Sequence, residues 1–390
     1  MNKIQVVIGA NYGDEGKGHF TDYLADPSTL VVRFNGGAQA GHTVMTPNLF
    51  RHVFHHFGAG LLKGSPTFLS KHFIVNPILF REERQKLNGF IINISVDPRA
   101  LVTTPYDMMI NAAVEKKRSA SNMKHGSCGI GINETVTRSA TMPIHYEDLT
   151  RYTVDELLEW VRREWVPVRL AQLGLEFDDL PYLTNKGIMN SWHDDVFHML
   201  KHAPSQWWGR AKDTRERYIF EGAQGLALDE FAPGFPHVTR SRTGLTNVMA
   251  MLSESGTREE MDVHYITRPY MTRHGAGGLG LATTGKPYLG IVDKTNVNNP
   301  HQGELRFGTL DVDLLVARIK RDVGGNSFWA SPNIGMTCID QVPDRISVMM
   351  DNVLVKINTL DLPRAIATRV GECSAHTHFN GETREHVIHQ

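Results

Sequence analysis

The stretch N-Y-G-D-E-G-K-G, which begins at Asn11, combines glycines with one lysine and two acidic side chains. It follows the apolar run Ile4 to Ile8 and precedes a helical pattern, which predicts a loop between a buried strand and a helix. Such a loop binds anions, because free backbone N–H groups and the helix N-terminus favour negative charge. Lys17 adds a point charge for a phosphate.

This loop differs from the standard nucleotide-binding P-loop. That motif requires G-x-x-x-x-G-K-[ST], whereas Asn11 replaces its first glycine and His19, after Gly18, supplies no hydroxyl. Asp14 and Glu15 also place carboxylates where an anion would bind. A tight strand-to-helix turn that merely needs glycine remains the structural alternative.

A second cluster, R-F-N-G-G-A-Q-A-G-H-T, follows the next apolar run and ends at Thr43. Loops after neighbouring strands of a parallel sheet share one edge, where ligands bind. A lone histidine usually has a structural role, but His42 lies in a glycine-rich loop beside a candidate phosphate loop. We therefore expect His42 to be a proton donor or a phosphate ligand.

The surrounding pattern predicts an α/β fold with a large, mostly parallel central sheet flanked by helices. The predicted strands are short apolar runs rich in Val and Ile: 4–8, 30–34, 90–96, 217–220, 264–266, 334–339 and 346–350. The predicted helices cover 107–120, a segment that begins at Thr153 with Glu156 as a capping box, 193–202 and 311–322. We expect one domain over 1–390, with smaller helical and loop subdomains at about 100–210 and 278–310.

Composition limits the function classes. The 390 residues carry a net charge of -1, which gives no bulk attraction to nucleic acid or to an anionic membrane. The three cysteines have no paired spacing, which argues against a disulfide framework and a thiolate zinc site. There is neither a secretory pattern nor an apolar run of the roughly 20 residues that span a bilayer. We therefore expect a cytoplasmic enzyme.

The two loops, G-D-E-G-K-G and R-F-x-G-G-x-x-A-G-H-T, resemble the corresponding loops of the adenylosuccinate synthetase family. Further similar motifs keep the family's order along roughly residues 4 to 340. They are F-E-G-A-Q-G from Phe220, V-T-R-S from Val238, T-R-H-G-A-G from Thr272, G-T-L-D from Gly308 and T-C-I-D from Thr337. The corresponding family motifs are F-E-G-A-Q-G, V-T-S-S, T-R-V-G-A-G, G-W-L-D and T-K-L-D. The resemblance also implies a P-loop-NTPase-like architecture.

The resemblance implies a ligase that couples aspartate to C6 of inosine monophosphate (IMP) at the expense of GTP. The enzyme removes the N1 proton, phosphorylates O6 and lets the amine displace the phosphate. Asp14 would be the general base and, with the Gly41 carbonyl, a ligand of Mg²⁺. His42 would act as an acid or hydrogen-bond donor, and Lys17 would stabilise the moving phosphoryl group.

The same resemblance implies two sets of binding residues. The nucleotide-binding set is Gly13, Glu15, Gly16, Gly18, Gly41, Thr43 and Asp340, the last of which would read the guanine of GTP. The substrate-binding set is Gln39, Ser127, Cys128, Arg138, Gln224, Thr239, Arg273 and Arg306. Arg138 would reach the phosphate bound by a neighbouring subunit, because the family is dimeric.

Four motifs depart from the family. Gln39 replaces an asparagine, and the T-T-G-R-G-I-G loop is shortened to S-C-G-I-G from Ser127. Cys338 replaces the lysine of T-K-L-D, and the C-terminal guanine loop has only a poor counterpart near 367–371. The last two departures leave the choice between GTP and ATP open.

The largest departure lies in the amino-acid loop, 296–308. The family has T-T-G-R-R-R-R-T-G-W-L-D there, whereas this chain keeps only Arg306 and has Glu304 where a cation is expected. An anionic donor with two carboxylates would meet fewer cations here, so a different amine donor stays open beside aspartate. The family's viral branch, which converts dGMP, has serine in place of Asp14, so the aspartate argues against dGMP, although another deoxynucleotide acceptor remains possible.

Three rival interpretations are weaker. G-A-G-G-L-G from Gly275 fits a dinucleotide fingerprint, but the following A-T-T-G-K-P is a poor helix start. Histidines at 52, 55, 56, 376 and 378 lack zinc-site spacing, and we expect the first group to lie on a strand with one face inward. A nucleotide-binding regulator without activity would not need the base Asp14.

Overall fold

The computed structural model describes residues 3–120, 129–296, 303–324, 329–371, 373 and 376–389. The strands are β1 (Ile4–Gly9), β2 (Thr29–Arg33), β3 (His42–Met45), β4 (Arg51–Phe54), β5 (Thr67–Leu69), β6 (Ile94–Val96), β7 (Arg217–Glu221), β8 (Met261–Thr267), β9 (Tyr270–Arg273), β10 (Arg306–Thr309), β11 (Ala330–Met336), β12 (Arg345–Met350), β13 (Val353–Asn358), β14 (His376–Phe379) and β15 (Val387–His389).

The α-helices are α1 (Lys17–Leu24), α2 (Pro77–Lys86), α3 (Pro105–Ala120), α4 (Ile132–Ser139), α5 (Asp148–Arg151), α6 (Val154–Trp160), α7 (Val166–Leu173), α8 (Lys186–His202), α9 (Trp208–Lys212), α10 (Thr246–Glu254), α11 (Val312–Val323) and α12 (Leu362–Val370). The predicted capping box is confirmed, because the Thr153 hydroxyl accepts from the Glu156 backbone N–H and the Glu156 carboxylate accepts from that of Thr153. No helix among the described residues is long and apolar enough to cross a membrane.

The central sheet has the strand order β15-β14-β11-β8-β1-β7-β2-β5-β6. All neighbouring strands in it are parallel except the edge pair β14 and β15. The predicted α/β class with a mostly parallel sheet is therefore confirmed. The carboxyl ends of β11, β8, β1, β7 and β2 lie side by side along one edge.

Both faces of the sheet are buried. On β1, Ile4, Val6 and Ile8 pack into the core that contains residues of α10, α11 and α12, whereas Val7 packs with Phe20 of α1 on the opposite face. Side chains alternate along a strand, so burial on both faces explains why the run is apolar except for Gln5, whose amide donates to Asp262. A separate core holds the predicted helical region together, with apolar residues of α3, α6, α7 and α8.

One predicted strand pairs differently. The run 346–350 falls in β12, which forms an antiparallel hairpin with β13 outside the central sheet. Its side chains alternate between buried and partly exposed positions, whereas the central strands are buried on both faces. The histidine-containing strand is confirmed as β4, on which His52 and Phe54 are buried and Arg51 and Val53 are partly exposed.

Candidate active site

The motifs singled out in the sequence meet at the carboxyl edge of the sheet. The glycine loop follows β1, the G-G-A-Q-A-G-H loop follows β2, F-E-G-A-Q-G spans the end of β7, and T-C-I-D follows β11. These strands are neighbours or next neighbours in the sheet, so their loops form one continuous cluster. Ligands bind at this edge in open α/β sheets.

Glu15 lies inside the first loop as an internal anion. Its carboxylate accepts hydrogen bonds from the backbone N–H groups of Asn11 and Gly13, at 3.0 and 2.9 Å, and from the Lys17 ammonium at 3.0 Å. The residue is only 2% exposed. Glu15 therefore satisfies donors that a P-loop would offer to a nucleotide phosphate.

Two glycines make room for this carboxylate. A Cβ on Gly9 would lie 2.8 Å from Lys17 Nζ and would also collide with Glu15 Oε2. A Cβ on Gly225, the last residue of F-E-G-A-Q-G, would lie 3.0 Å from Glu15 Oε1 and collide with the Asn11 carbonyl. Glycine at the end of β1 and at the end of F-E-G-A-Q-G thus permits the close approach of the two loops around Glu15.

Asp14 points out of the loop, unlike Glu15. Its backbone has a φ of 61°, a left-handed conformation that is uncommon for a residue with a side chain. The carboxylate is 25% exposed, and Oδ2 lies 3.5 Å from Nε2 of His274. Asp14 is therefore available to a substrate, as the general-base assignment requires.

His42 is buried and held by one ring nitrogen. Nδ1 lies 2.6 Å from the Glu221 carboxylate, while Nε2 is buried and has no hydrogen-bond partner among the described residues. Burial lowers the pKa of His42 to about 4, and the nearby Arg33 acts in the same direction. The free Nε2 is the atom that could meet a phosphoryl oxygen.

Glu221, the second residue of F-E-G-A-Q-G, is a further candidate site residue, and residue types alone give no sign of its partner. Besides His42, its carboxylate accepts from the Ala59 backbone N–H at 3.1 Å and lies 3.9 Å from Arg33 Nε. Nearby positive charges and these hydrogen bonds lower the pKa of Glu221, against the opposing effect of burial. The carboxylate therefore fixes the orientation of the imidazole.

The second loop is joined to F-E-G-A-Q-G by a reciprocal amide pair. Asn35 Nδ2 donates to the Ala223 carbonyl at 3.1 Å, and the Ala223 N–H donates to Asn35 Oδ1 at 2.7 Å. Gln39 and Gln224, both predicted to bind the acceptor nucleotide, each have a buried Oε1 without a partner among the described residues. Gln224 also has a φ of 57°.

Other predicted binding residues already make internal contacts. Arg273 donates to the carbonyls of Gly278 and His237, and Arg306 donates to the Gly275 carbonyl at 2.6 Å. Thr239 lies beside this group, where its backbone N–H donates to Leu228. Ser127 and Cys128 lie outside the described residues.

Arg138 is engaged within its own chain. Its guanidinium is fully buried and pairs with Asp107 at 2.9 Å, while it also donates to the carbonyls of Val102 and Met142. Its expected reach to a neighbouring subunit's phosphate stays a prediction. Arg138 ties α4 to the start of α3.

The C-terminal region brings a turn close to Asp340. The segment 367–371 belongs mostly to α12, whereas Glu382 and His386 of the turn after β14 interact electrostatically with the exposed Asp340. Since β14 pairs with β11, the turns after both strands reach the same edge. The segment 380–386 therefore lies beside Asp340, whereas the similarity of 367–371 to a guanine loop stays a prediction.

The donor set suits Mg²⁺ bound together with phosphates. Among the described residues, no group of three or more His, Cys, Asp or Glu side chains could hold a metal ion. Mg²⁺ is usually bound by one or two carboxylates together with substrate phosphates. The partly exposed Asp14 carboxylate and the exposed Gly41 fit this type of site.

Sequence comparisons relate this chain to one family of known proteins. The adenylosuccinate synthetase family model matches residues 6–295. The adenylosuccinate synthetase of Francisella philomiragia is 30% identical over 407 residues, which cover 93% of this chain and 91% of that protein. The alignment with the Leuconostoc citreum enzyme has 29% identity and covers 70% of this chain but 63% of the relative.

Two solved structures have similar folds. A fully ligated adenylosuccinate synthetase from Plasmodium falciparum superposes with a TM-score of 0.79 and 18% identity, with all of both chains covered. The succinoaminodeoxyadenylate synthetase of cyanophage S-2L, bound to dGMP and dATP, gives a TM-score of 0.61 and 14% identity over 100% of this chain and 95% of that one.

Proposed function

This chain belongs to the adenylosuccinate synthetase family of carbon–nitrogen ligases, and from that premise we propose the reaction it performs. It uses GTP or ATP to phosphorylate O6 of an IMP-like 6-oxopurine nucleotide. The amine of aspartate then attacks C6 and displaces phosphate, giving an adenylosuccinate or its deoxy form. The enzyme acts in the cytoplasm as a homodimer.

The observation that carries the proposal is His42, whose buried Nε2 has no hydrogen-bond partner in the described part of the chain, in the same loop cluster as Asp14 and Lys17. A nucleotide-binding regulator would have no use for a base together with an imidazole held by a buried carboxylate. A phosphoryl group beside Nε2 would favour the protonated imidazole, which can donate a hydrogen bond to it.

The first step needs a base and a charge-stabilising group. Asp14 takes the N1 proton, and the electron pair of the N–H bond moves toward O6. O6 then attacks the γ-phosphorus of the triphosphate, and the bond to the leaving nucleoside diphosphate breaks. Lys17 lies at the N-terminus of α1 and stabilises charge on the transferred group. Asp14 and the Gly41 carbonyl would hold Mg²⁺, which neutralises phosphate charge when bound.

In the second step the amine replaces phosphate at C6, which forms the carbon–nitrogen bond. Gln39 and Gln224 supply amide groups for the acceptor nucleotide. Their buried oxygens, which no described residue hydrogen-bonds, are suited to that task. Asp340 and the segment 380–386 contact the base of the triphosphate.

A different amine donor is the second candidate. Arg306 is the arginine kept in the amino-acid loop, and its guanidinium already donates to the Gly275 carbonyl. Glu304, in the same segment, is exposed. A dicarboxylate donor would therefore meet fewer free cations at these positions than in the family pattern.

The test is phosphate release with GTP or ATP, Mg²⁺ and IMP or dIMP, with and without aspartate, with products read by mass spectrometry. A succinyl adduct that requires aspartate supports the first proposal. Phosphate release without that adduct supports another donor, which a screen of amino acids would identify. No response to any 6-oxopurine nucleotide, dGMP included, would reject both.

A further inference from the structure

His274 lies between Asp14, the proposed general base, and Asn296, the first residue of the amino-acid loop. It follows β9, and its Nε2 lies 2.8 Å from Oδ1 of Asn296 and 3.5 Å from Oδ2 of Asp14. Both neighbours offer oxygen acceptors, so Nε2 carries a hydrogen and points it between them. The family motif T-R-V-G-A-G has valine at this position, which could make neither contact.

Asn296 is itself held firmly. Its backbone N–H and its side-chain amide both donate to the Asp293 carboxylate, at 2.8 and 2.7 Å. The adjacent Thr295 accepts from Arg51 at 2.6 Å and lies 3.2 Å from the Thr43 hydroxyl. The segment 293–296 is therefore a fixed support against which the imidazole can be oriented.

The other ring nitrogen has no such anchor. Nδ1 of His274 is buried and without a hydrogen-bond partner among the described residues. A histidine whose role is to brace the loops would be expected to have both nitrogens paired, because a buried unpaired polar atom costs about 1–3 kcal/mol. Its directional contacts are instead all made through Nε2, toward Asp14 and Asn296.

We propose that His274 is a positioning residue for Asp14: it holds one carboxylate oxygen, so that the other faces the acceptor base, and it ties that orientation to the donor-side segment through Asn296. The inference rests on the proposed function, in which Asp14 takes the N1 proton. It couples the orientation of the base to the segment 293–296 through one hydrogen bond and one close contact to the Asp14 carboxylate. Misplacing a catalytic group by about 1 Å costs about 10²-fold in rate.

Two substitutions separate the hydrogen bond from the bulk of the ring. His274→Phe keeps a ring but removes the donor, and His274→Gln keeps an N–H near the Nε2 position. We expect His274→Phe to lower kcat about 10- to 100-fold while the KM for the acceptor nucleotide changes less than about threefold. His274→Gln should recover most of the lost kcat. His193→Gln on α8, where the histidine is exposed, is the control.

A double-mutant cycle tests the link to the donor side. Asn296→Ala should lower kcat by itself and add little in the His274→Phe background, because both changes break the same coupling. Wild-type kcat in His274→Phe, or equal losses in His274→Phe and His274→Gln, would overturn the proposal. If the losses of kcat in His274→Phe and Asn296→Ala add in the double variant, Asn296 does not act through His274.

A spectroscopic readout is independent of turnover. In the ¹⁵N spectrum of the full-length chain, His274 should show a proton on Nε2, and its ring signals should shift in Asp14→Asn and in Asn296→Ala. An unprotonated Nε2, or no shift in Asp14→Asn, would overturn the positioning role even if the enzyme is active. Absence of product from the wild type would instead reject the proposed function.

Discussion

Nδ1 of His42 and Oε1 of Glu221 lie 2.6 Å apart in a fully buried environment, although 179 residues separate them in the chain. The short contact fixes which ring nitrogen faces the open part of the site. With Nδ1 directed at the carboxylate, only Nε2 can serve a phosphoryl group. Catalysis through His42 should therefore depend on Glu221.

Glu221→Gln should lower kcat about 10²-fold, because the amide can bond to the ring but no longer favours its protonated form. Steady-state kinetics measure the loss, and a thermal melt reports whether the uncompensated Arg33 destabilises the fold. Glu216→Gln is a matched control, because Glu216 is exposed and immediately precedes the other end of β7. Unchanged kcat in a folded Glu221→Gln enzyme would contradict the orienting role.

Asp14→Asn should abolish turnover and leave nucleotide binding nearly intact. The amide keeps the size of the side chain but cannot accept the N1 proton. Isothermal titration of the triphosphate and of the acceptor, beside a product assay, separates the two effects. Substantial turnover by Asp14→Asn would remove Asp14 as the base.

His42→Asn should lower the rate of phosphoryl transfer by about 10²–10⁴-fold, the range for a general acid–base group. Rapid-quench measurement of the nucleoside diphosphate (GDP or ADP) formed in the first turnover isolates this step from product release. A variant that transfers the phosphoryl group normally but releases product slowly would place the role of His42 in another step.

Gly225→Ala should destabilise the protein by about 1–3 kcal/mol and reduce activity, because the new methyl would press on Glu15 and Asn11. Gly209→Ala is the matched control, since a Cβ there meets no atom within 4 Å and the residue lies in α9. Denaturant unfolding compares the two variants. Equal stabilities would show that the loop can relax around the added methyl.

Acid should destabilise the fold through buried neutral histidines. Burial lowers the pKa of His264 from 6.5 to about 4, so the unfolded chain binds the proton more readily and stability falls as the pH drops through this window. The effect amounts to about 1.4 kcal/mol per pH unit for each such group. Asp322 acts in the opposite direction, because burial raises its pKa to about 6.

His264→Gln isolates one contribution. The loss of unfolding free energy between about pH 6.5 and about pH 5 should be smaller in this variant than in the wild type. Urea titrations at both values measure the difference. An equal loss in the two proteins would mean that His264 does not titrate on unfolding in this range.

The sequence predicts those strands and loops that depend on the local pattern of apolar residues and glycines. Apolar runs such as 4–8 and 217–220 gave central strands, and the glycine loops after them fell on one edge of the sheet. It could not reveal the partner of His42, because Glu221 lies 179 positions further along the chain and approaches His42 only in the folded structure. Nor could residue types reveal that Glu15 turns inward while its neighbour Asp14 turns outward.

Motif order and apolarity do not report which partner a residue or a strand packs against. The run 346–350 is a strand, as predicted, but its partner is the strand 353–358 of a hairpin outside the central sheet. Arg138 pairs with Asp107, which no motif indicated. Both outcomes depend on three-dimensional neighbours that a single sequence does not specify.

The inward carboxylate of Glu15 has a consequence for affinity. A glycine-rich loop is costly to order, because glycine loses more backbone freedom than any other residue. Here the Asn11 and Gly13 amides and Lys17 are bound to an anion that is part of the chain, so the loop is ordered during folding. A nucleotide that arrives at this edge meets a preorganised surface, and less of its binding energy is lost as conformational entropy.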